Sequence, residues 1–142
     1  MAHVRFYYDV PEPLALAYEL VARAYRAGQE VAVRLEDEAT LATFAHRLWT
    51  QESGAFLPNV PAGSPLAGQT PIVLLTAEAP IPPRPVLIQL ARSHPELDQN
   101  SEWILEIVGP QENDKAPARE RFRRYRAEGH DVQAIPRKTP TP

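Results

Sequence analysis

The chain has 142 residues, 44% hydrophobic and 23% charged, with a net charge of −3 and no cysteine. That length suits one domain with a buried core, and the missing cysteine excludes disulfides and thiolate zinc sites and suits a reducing cytoplasm. No apolar run approaches the roughly 20 residues of a membrane span, and the N-terminus has no signal-peptide pattern, so a cytoplasmic protein without membrane contact is expected.

Residues 4–8 are short, β-branched and aromatic and predict a strand, which Asp9 and the two prolines after it break. Leu14, Ala17, Tyr18, Val21, Ala22 and Tyr25 then recur with the one-sided spacing of an amphipathic helix, and Gly28 supplies its left-handed cap. Residues 31–35 predict a second strand. Leu41, Phe44, Ala45 and Leu48 predict a second helix, with Glu36, Asp37 and Glu38 near its positive N-terminal end. A long loop rich in proline and glycine covers 51–71. Residues 72–75, 86–90 and 103–108 are continuous apolar runs of the kind buried on both faces of a parallel sheet. A basic helix follows over 117–128, with Pro117 near its start and Gly129 ending it; residues 132–135 predict a last short strand. Strand–helix alternation implies parallel crossovers, so the expected fold is a single α/β domain over 1–135, a mostly parallel sheet flanked by helices, then a Pro-rich frayed tail over 136–142.

The enzyme signatures are missing. The turn over 9–13 has no glycine, so neither a Walker loop nor a dinucleotide fingerprint fits there, and no Gly-x-Ser-x-Gly elbow occurs. His3, His46, His94 and His130 lack ligand spacing, so no metal and no cofactor are expected. His46 reads as a boundary residue of its helix. Asp9 ends the first strand, where α/β enzymes often carry catalytic groups, but a turn role fits it better.

Charge is uneven along the chain. Residues 115–138 carry eight cations against three carboxylates, a net +5, which leaves −8 for the remainder. In the basic helix Ala118, Phe122 and Tyr125 form an apolar docking side, while Lys115, Arg119, Arg123 and Arg126 fall on an adjacent stripe. Like charges so spaced repel, and only Glu120 and Glu128 offer nearby relief. An acidic partner would relieve that repulsion and gain charge-assisted bonds from arginine. Periodicity alone leaves a solvated face and an anion site equally open. Single-stranded nucleic acid bound directly by the same helix is the alternative anion, against which stand the acidic body and the narrow patch. Trp49 and Phe56 form a second candidate surface, for which the residues alone favour core anchoring over partner binding.

Four stretches carry a family likeness: Val-Arg-Phe-Tyr at 4–7; Ala-Gly-Gln-Glu-Val-Ala-Val at 27–33 with Glu-Asp-Glu at 36–38; Leu-Trp at 48–49 with Phe-Leu-Pro-Asn-Val at 56–60; and Ala-Arg-Glu-Arg-Phe-Arg-Arg-Tyr-Arg at 118–126 with Gly129. Together they resemble the chi subunit family of bacterial DNA polymerase III holoenzyme. The resemblance implies a nucleotide-binding-like fold without a phosphate loop, in an accessory of the clamp-loader assembly with no catalysis of its own. It implies that the chain holds the acidic C-terminal tail of single-stranded DNA-binding protein, ending in Pro-Phe, and meets DNA only indirectly. It maps the tail site onto Val108, Lys115, Arg119, Phe122 and Arg123, with Phe122 replacing an expected tyrosine and Arg123 an expected lysine. It maps a second surface, for the psi subunit or a helicase-like partner, onto Trp49 and Phe56.

Overall fold

A computed structural model describes residues 2–50, 57–96 and 101–137. In chain order the elements are β1 (His3–Tyr8), α1 (Pro13–Arg26), β2 (Val31–Leu35), α2 (Glu38–Thr50), β3 (Asn59–Pro61), a 3-10 turn (Ala67–Gln69), β4 (Ile72–Thr76), β5 (Val86–Gln89), β6 (Trp103–Ile107), α3 (Glu112–Ala127) and β7 (Asp131–Pro136). The seven strands form one sheet in the order β3-β4-β2-β5-β6-β1-β7, and every pairing is parallel.

Alternation along each strand divides the core into two layers. Val31, Val33 and Leu35 join Ile72, Leu74, Val86 and Ile88 beneath α1 and α2. Ala32, Val73, Leu87, Ile104, Val4 and Phe6 face the other way, against Ala118 and Tyr125 of α3. The chain leaves β1 toward β2 through α1 and leaves its neighbour β6 toward β7 through α3. Right-handed crossovers running in opposite directions put their helices on opposite faces. The C-terminal ends of β1 and β6 are therefore the switch point of the sheet, where open α/β folds place ligands.

Local signals set the helix ends. Pro13 occupies the first turn of α1, where its missing N–H costs nothing. Asp37 caps α2, its Oδ1 accepting the Thr40 N–H at 2.8 Å, and that bond holds its carboxyl below the usual range. Gly28 and Gly129 adopt φ of 76° and 89°. Each lets the next residue donate back into the helix, Gln29 N–H to the Ala24 carbonyl at 3.0 Å and His130 N–H to the Tyr125 carbonyl at 3.1 Å. These are the reverse bonds of a left-handed helix cap.

Three expectations need correction. α3 begins at Glu112, not at Pro117, which lies inside it and cannot donate to the carbonyl one turn back. Its first turn instead carries Glu112 and Asp114, which suit the helix dipole. The segment over 51–71 is not all loop: β3 lies within it and pairs with β4, and the buried Arg84 guanidinium fastens it by donating to the Ala67, Thr70 and Pro71 carbonyls at 2.6, 2.9 and 3.1 Å. Strands 86–90 and 103–108 are not purely apolar, because Gln89 and Glu106 are fully buried within them. The frayed tail expected over 136–142 lies, from residue 138 onward, outside the described residues.

Candidate peptide-binding site

Past the ends of β1 and β6 the two segments of the chain stay joined. Val108 N–H donates to the Tyr7 carbonyl at 2.8 Å, and Val10 N–H donates to the Val108 carbonyl at 3.0 Å. Between those bonds Asp9 takes a left-handed φ of 57°, and its carboxylate meets the Lys115 ammonium of α3 at 2.5 Å. Asp9 is thus a turn residue, and it carries an ion pair that the sequence reading did not foresee.

On the α3 face this corner opens into a cleft of about 390 Å³ lined by Phe6, Tyr8, Val108, Lys115, Ala118, Arg119, Phe122, Arg123 and Ala134. All five residues proposed from the sequence line it. Phe6, Val108 and Ala118 are buried, and the Phe6 and Phe122 rings lie 5.3 Å apart. Phe122 therefore borders both the core and the cleft. Lys115, Arg119 and Arg123 supply the cationic rim, one per helical turn. Arg126 instead lies over the Phe122 ring at 6.0 Å and does not line the cleft.

The rim cations are not bare. Besides Lys115 with Asp9, Arg119 pairs with Glu112 at 2.6 Å and Arg123 pairs with Glu120. The bond between Arg119 and Glu112 lowers the carboxyl pKa and raises that of the guanidinium. Relief of the like-charge stripe thus comes from Asp9 and Glu112 as well as from Glu120.

A buried polar anchor beneath α3 was invisible to periodicity. Arg121 Nε donates to both Glu106 oxygens at 3.2 Å, its Nη2 donates to Oε1 at 3.0 Å, and the Tyr125 hydroxyl donates to Oε2 at 2.8 Å. Burial pushes the Glu106 carboxyl up, opposed by Arg121 and by the Tyr125 hydroxyl; burial, reinforced by Glu106, also raises the Tyr125 phenol. Strand register aligns Glu106 with Gln89, and Gln89 with Arg34. Arg34 donates to Gln89, the Ala77 carbonyl and Ser93. The only signal in sequence was a polar residue interrupting each apolar run. His94 packs on Tyr125 at 4.7 Å, and His130 does so from 5.9 Å. Among the described residues no three His, Asp or Glu side chains converge as a metal site, and no helix is long and apolar enough to cross a membrane.

Residues 1–133 match the family model described as DNA polymerase III chi subunit, HolC. The chain belongs to the chi family. It is 31% identical over 137 residues to the DNA polymerase III subunit chi of Pseudomonas aeruginosa, covering 94% of this chain and 95% of that protein. The chi subunit of Haemophilus influenzae is 27% identical over 138 residues, covering 93% and 96%. That of Escherichia coli is 26% identical over 118 residues, covering 82% and 80%.

The second surface is divided between described and undescribed residues. Trp49, near the end of α2, is 60% exposed while Leu48 beside it is fully buried, which overturns core anchoring for Trp49. Phe56 lies outside the described residues. His46 is exposed rather than at a boundary.

Proposed function

We propose that this chain is a non-catalytic accessory subunit of the DNA polymerase III clamp-loader assembly, working in the cytoplasm. In this reading it holds the acidic C-terminal tail of single-stranded DNA-binding protein and so links that protein to the replisome. The observation that carries the reading is one cleft with an apolar floor of Phe6, Val108, Ala118 and Phe122 beneath a rim of Lys115, Arg119 and Arg123. Cations suit a tail's carboxylates, and the apolar floor suits its terminal aromatic ring. DNA would be reached only through the tail's owner. The exposed Trp49 supports a separate protein contact on α2, for psi or a helicase-like partner.

A labelled peptide ending Asp-Asp-Ile-Pro-Phe tests the reading by fluorescence anisotropy. Binding is expected at about −7 to −8 kcal/mol, on the order of 1–10 μM. Removing the final Phe should weaken it more than about tenfold, as expected for a buried aromatic side chain. Equal affinity for the shortened peptide would refute the reading, and tight binding of bare oligonucleotide at moderate salt would favour direct single-strand binding instead.

A further inference from the structure

The rim of the cleft is neutralised from within, and its three ion pairs are not equivalent. Arg119 with Glu112 and Arg123 with Glu120 join side chains that are each more than half exposed, where solvent leaves little interaction. Lys115 and Asp9 are only 29% and 17% exposed, and they join α3 to the end of β1 across the sheet corner. Asp9 holds a left-handed φ of 57°, a conformation that aspartate tolerates better than most residues, and in it the carboxylate meets Lys115. Its carboxylate therefore occupies the ammonium of a residue that lines the cleft.

We infer that Asp9 sets the affinity of the cleft for anions: it is an internal carboxylate that competes for Lys115 with any incoming anion. Binding at the rim is then an exchange of carboxylates rather than an addition of charge. Anions that offer charge alone gain little from such an exchange. An acidic segment that also carries an apolar terminus gains the floor of the cleft, which Asp9 does not contest. A cationic rim masked in this way weakens the binding of bare single strands, which rests on phosphate neutralisation, and leaves the contribution of the apolar floor intact.

The inference rests on the tail-binding reading for its peptide arm but not for its nucleic-acid arm. Asp9→Asn removes the charge while keeping a side chain that tolerates the left-handed region, and Asp9→Gly serves as a second variant that this backbone accepts still more readily. Anisotropy is measured for both variants and the unmodified chain with the peptide ending Asp-Asp-Ile-Pro-Phe and with oligothymidylate, over a salt series. Each variant should bind the peptide about three- to tenfold more tightly, the size expected of one partly buried charge. For oligothymidylate, the slope of log K against log salt should steepen by about 0.7, the signature of one more cation available to phosphate. Glu112→Gln, which frees an exposed pair, should change both less. If the unmodified chain fails to bind the peptide while the Asp9 variants gain for oligothymidylate, the tail reading fails and the role of Asp9 stands. If neither variant gains for either anion, the competitor role is overturned, whatever the unmodified chain binds.

Discussion

At the scale of single residues, the cleft divides its work between charge and shape. Arg119 stands on the rim in an exposed pair with Glu112, so Arg119→Ala should weaken tail-peptide binding only about three- to tenfold. Phe122 borders both the core and the cleft, and Phe122→Tyr restores the hydroxyl expected of the family. That variant should bind the peptide at least as tightly as the original, as measured by anisotropy; a large loss would mean the ring sits in a wholly apolar slot. The family resemblance alone supplied Val108 and the assignment of five positions to one site; Lys115, Arg119 and Arg123 were also legible as a stripe, because i, i+4 spacing fixes the faces of a helix. The role of Asp9 was not legible, because its partner lies more than a hundred residues away.

At the scale of elements, α3 is held by its buried anchor as much as by Ala118, Phe122 and Tyr125. Glu106→Ala leaves the Arg121 guanidinium and the Tyr125 hydroxyl buried without their acceptor. Chemical denaturation should register a loss of about 3–5 kcal/mol, whereas Glu106→Leu combined with Arg121→Met should lose far less. Equal losses in the two proteins would show that the anchor works through volume rather than charge. The anchor escaped the sequence reading because pairing of Glu106 with residues on α3, and of Gln89 with Arg34, is dictated by sheet register and crossover. Neither leaves a local trace beyond one polar residue in an apolar run. Helix ends were easier to read where the signal is intrinsic to one residue, as at Gly28 and Gly129. Pro117 misled because proline is commonest in a first turn, yet Glu112 and Asp114 set the true start.

At the scale of the whole molecule, stability and partner surfaces can be separated. His94 is nearly buried against Tyr125, facing Arg121, Arg124 and Glu128, and burial lowers its pKa from 6.5, aided by Arg124. The unfolded chain therefore takes up that proton first. Stability should be full above about pH 6.5 and decline as pH falls through the lower folded value. Urea unfolding from pH 7.5 to 5 should show this decline, and His94→Gln should flatten it; an unchanged slope would assign the decline to other groups. Trp49→Ala, by contrast, should lower stability only slightly, by less than about 1 kcal/mol, because most of that residue is exposed. The parallel architecture was legible from strand–helix alternation, but strand order was not, since nothing local tells the chain leaving β1 to pass β6 and β5 before pairing. The exposure of Trp49 was missed because it stands one turn after Ala45, at the edge of the apolar face set by Phe44 and Leu48, where spacing does not show which way a large ring turns. Titration calorimetry with intact single-stranded DNA-binding protein and with its tail-deleted form reads out whether the cleft of α3 holds that tail. Binding of the intact protein should vanish on deletion of the tail; equal heats for the two forms would mean that the cleft does not hold it.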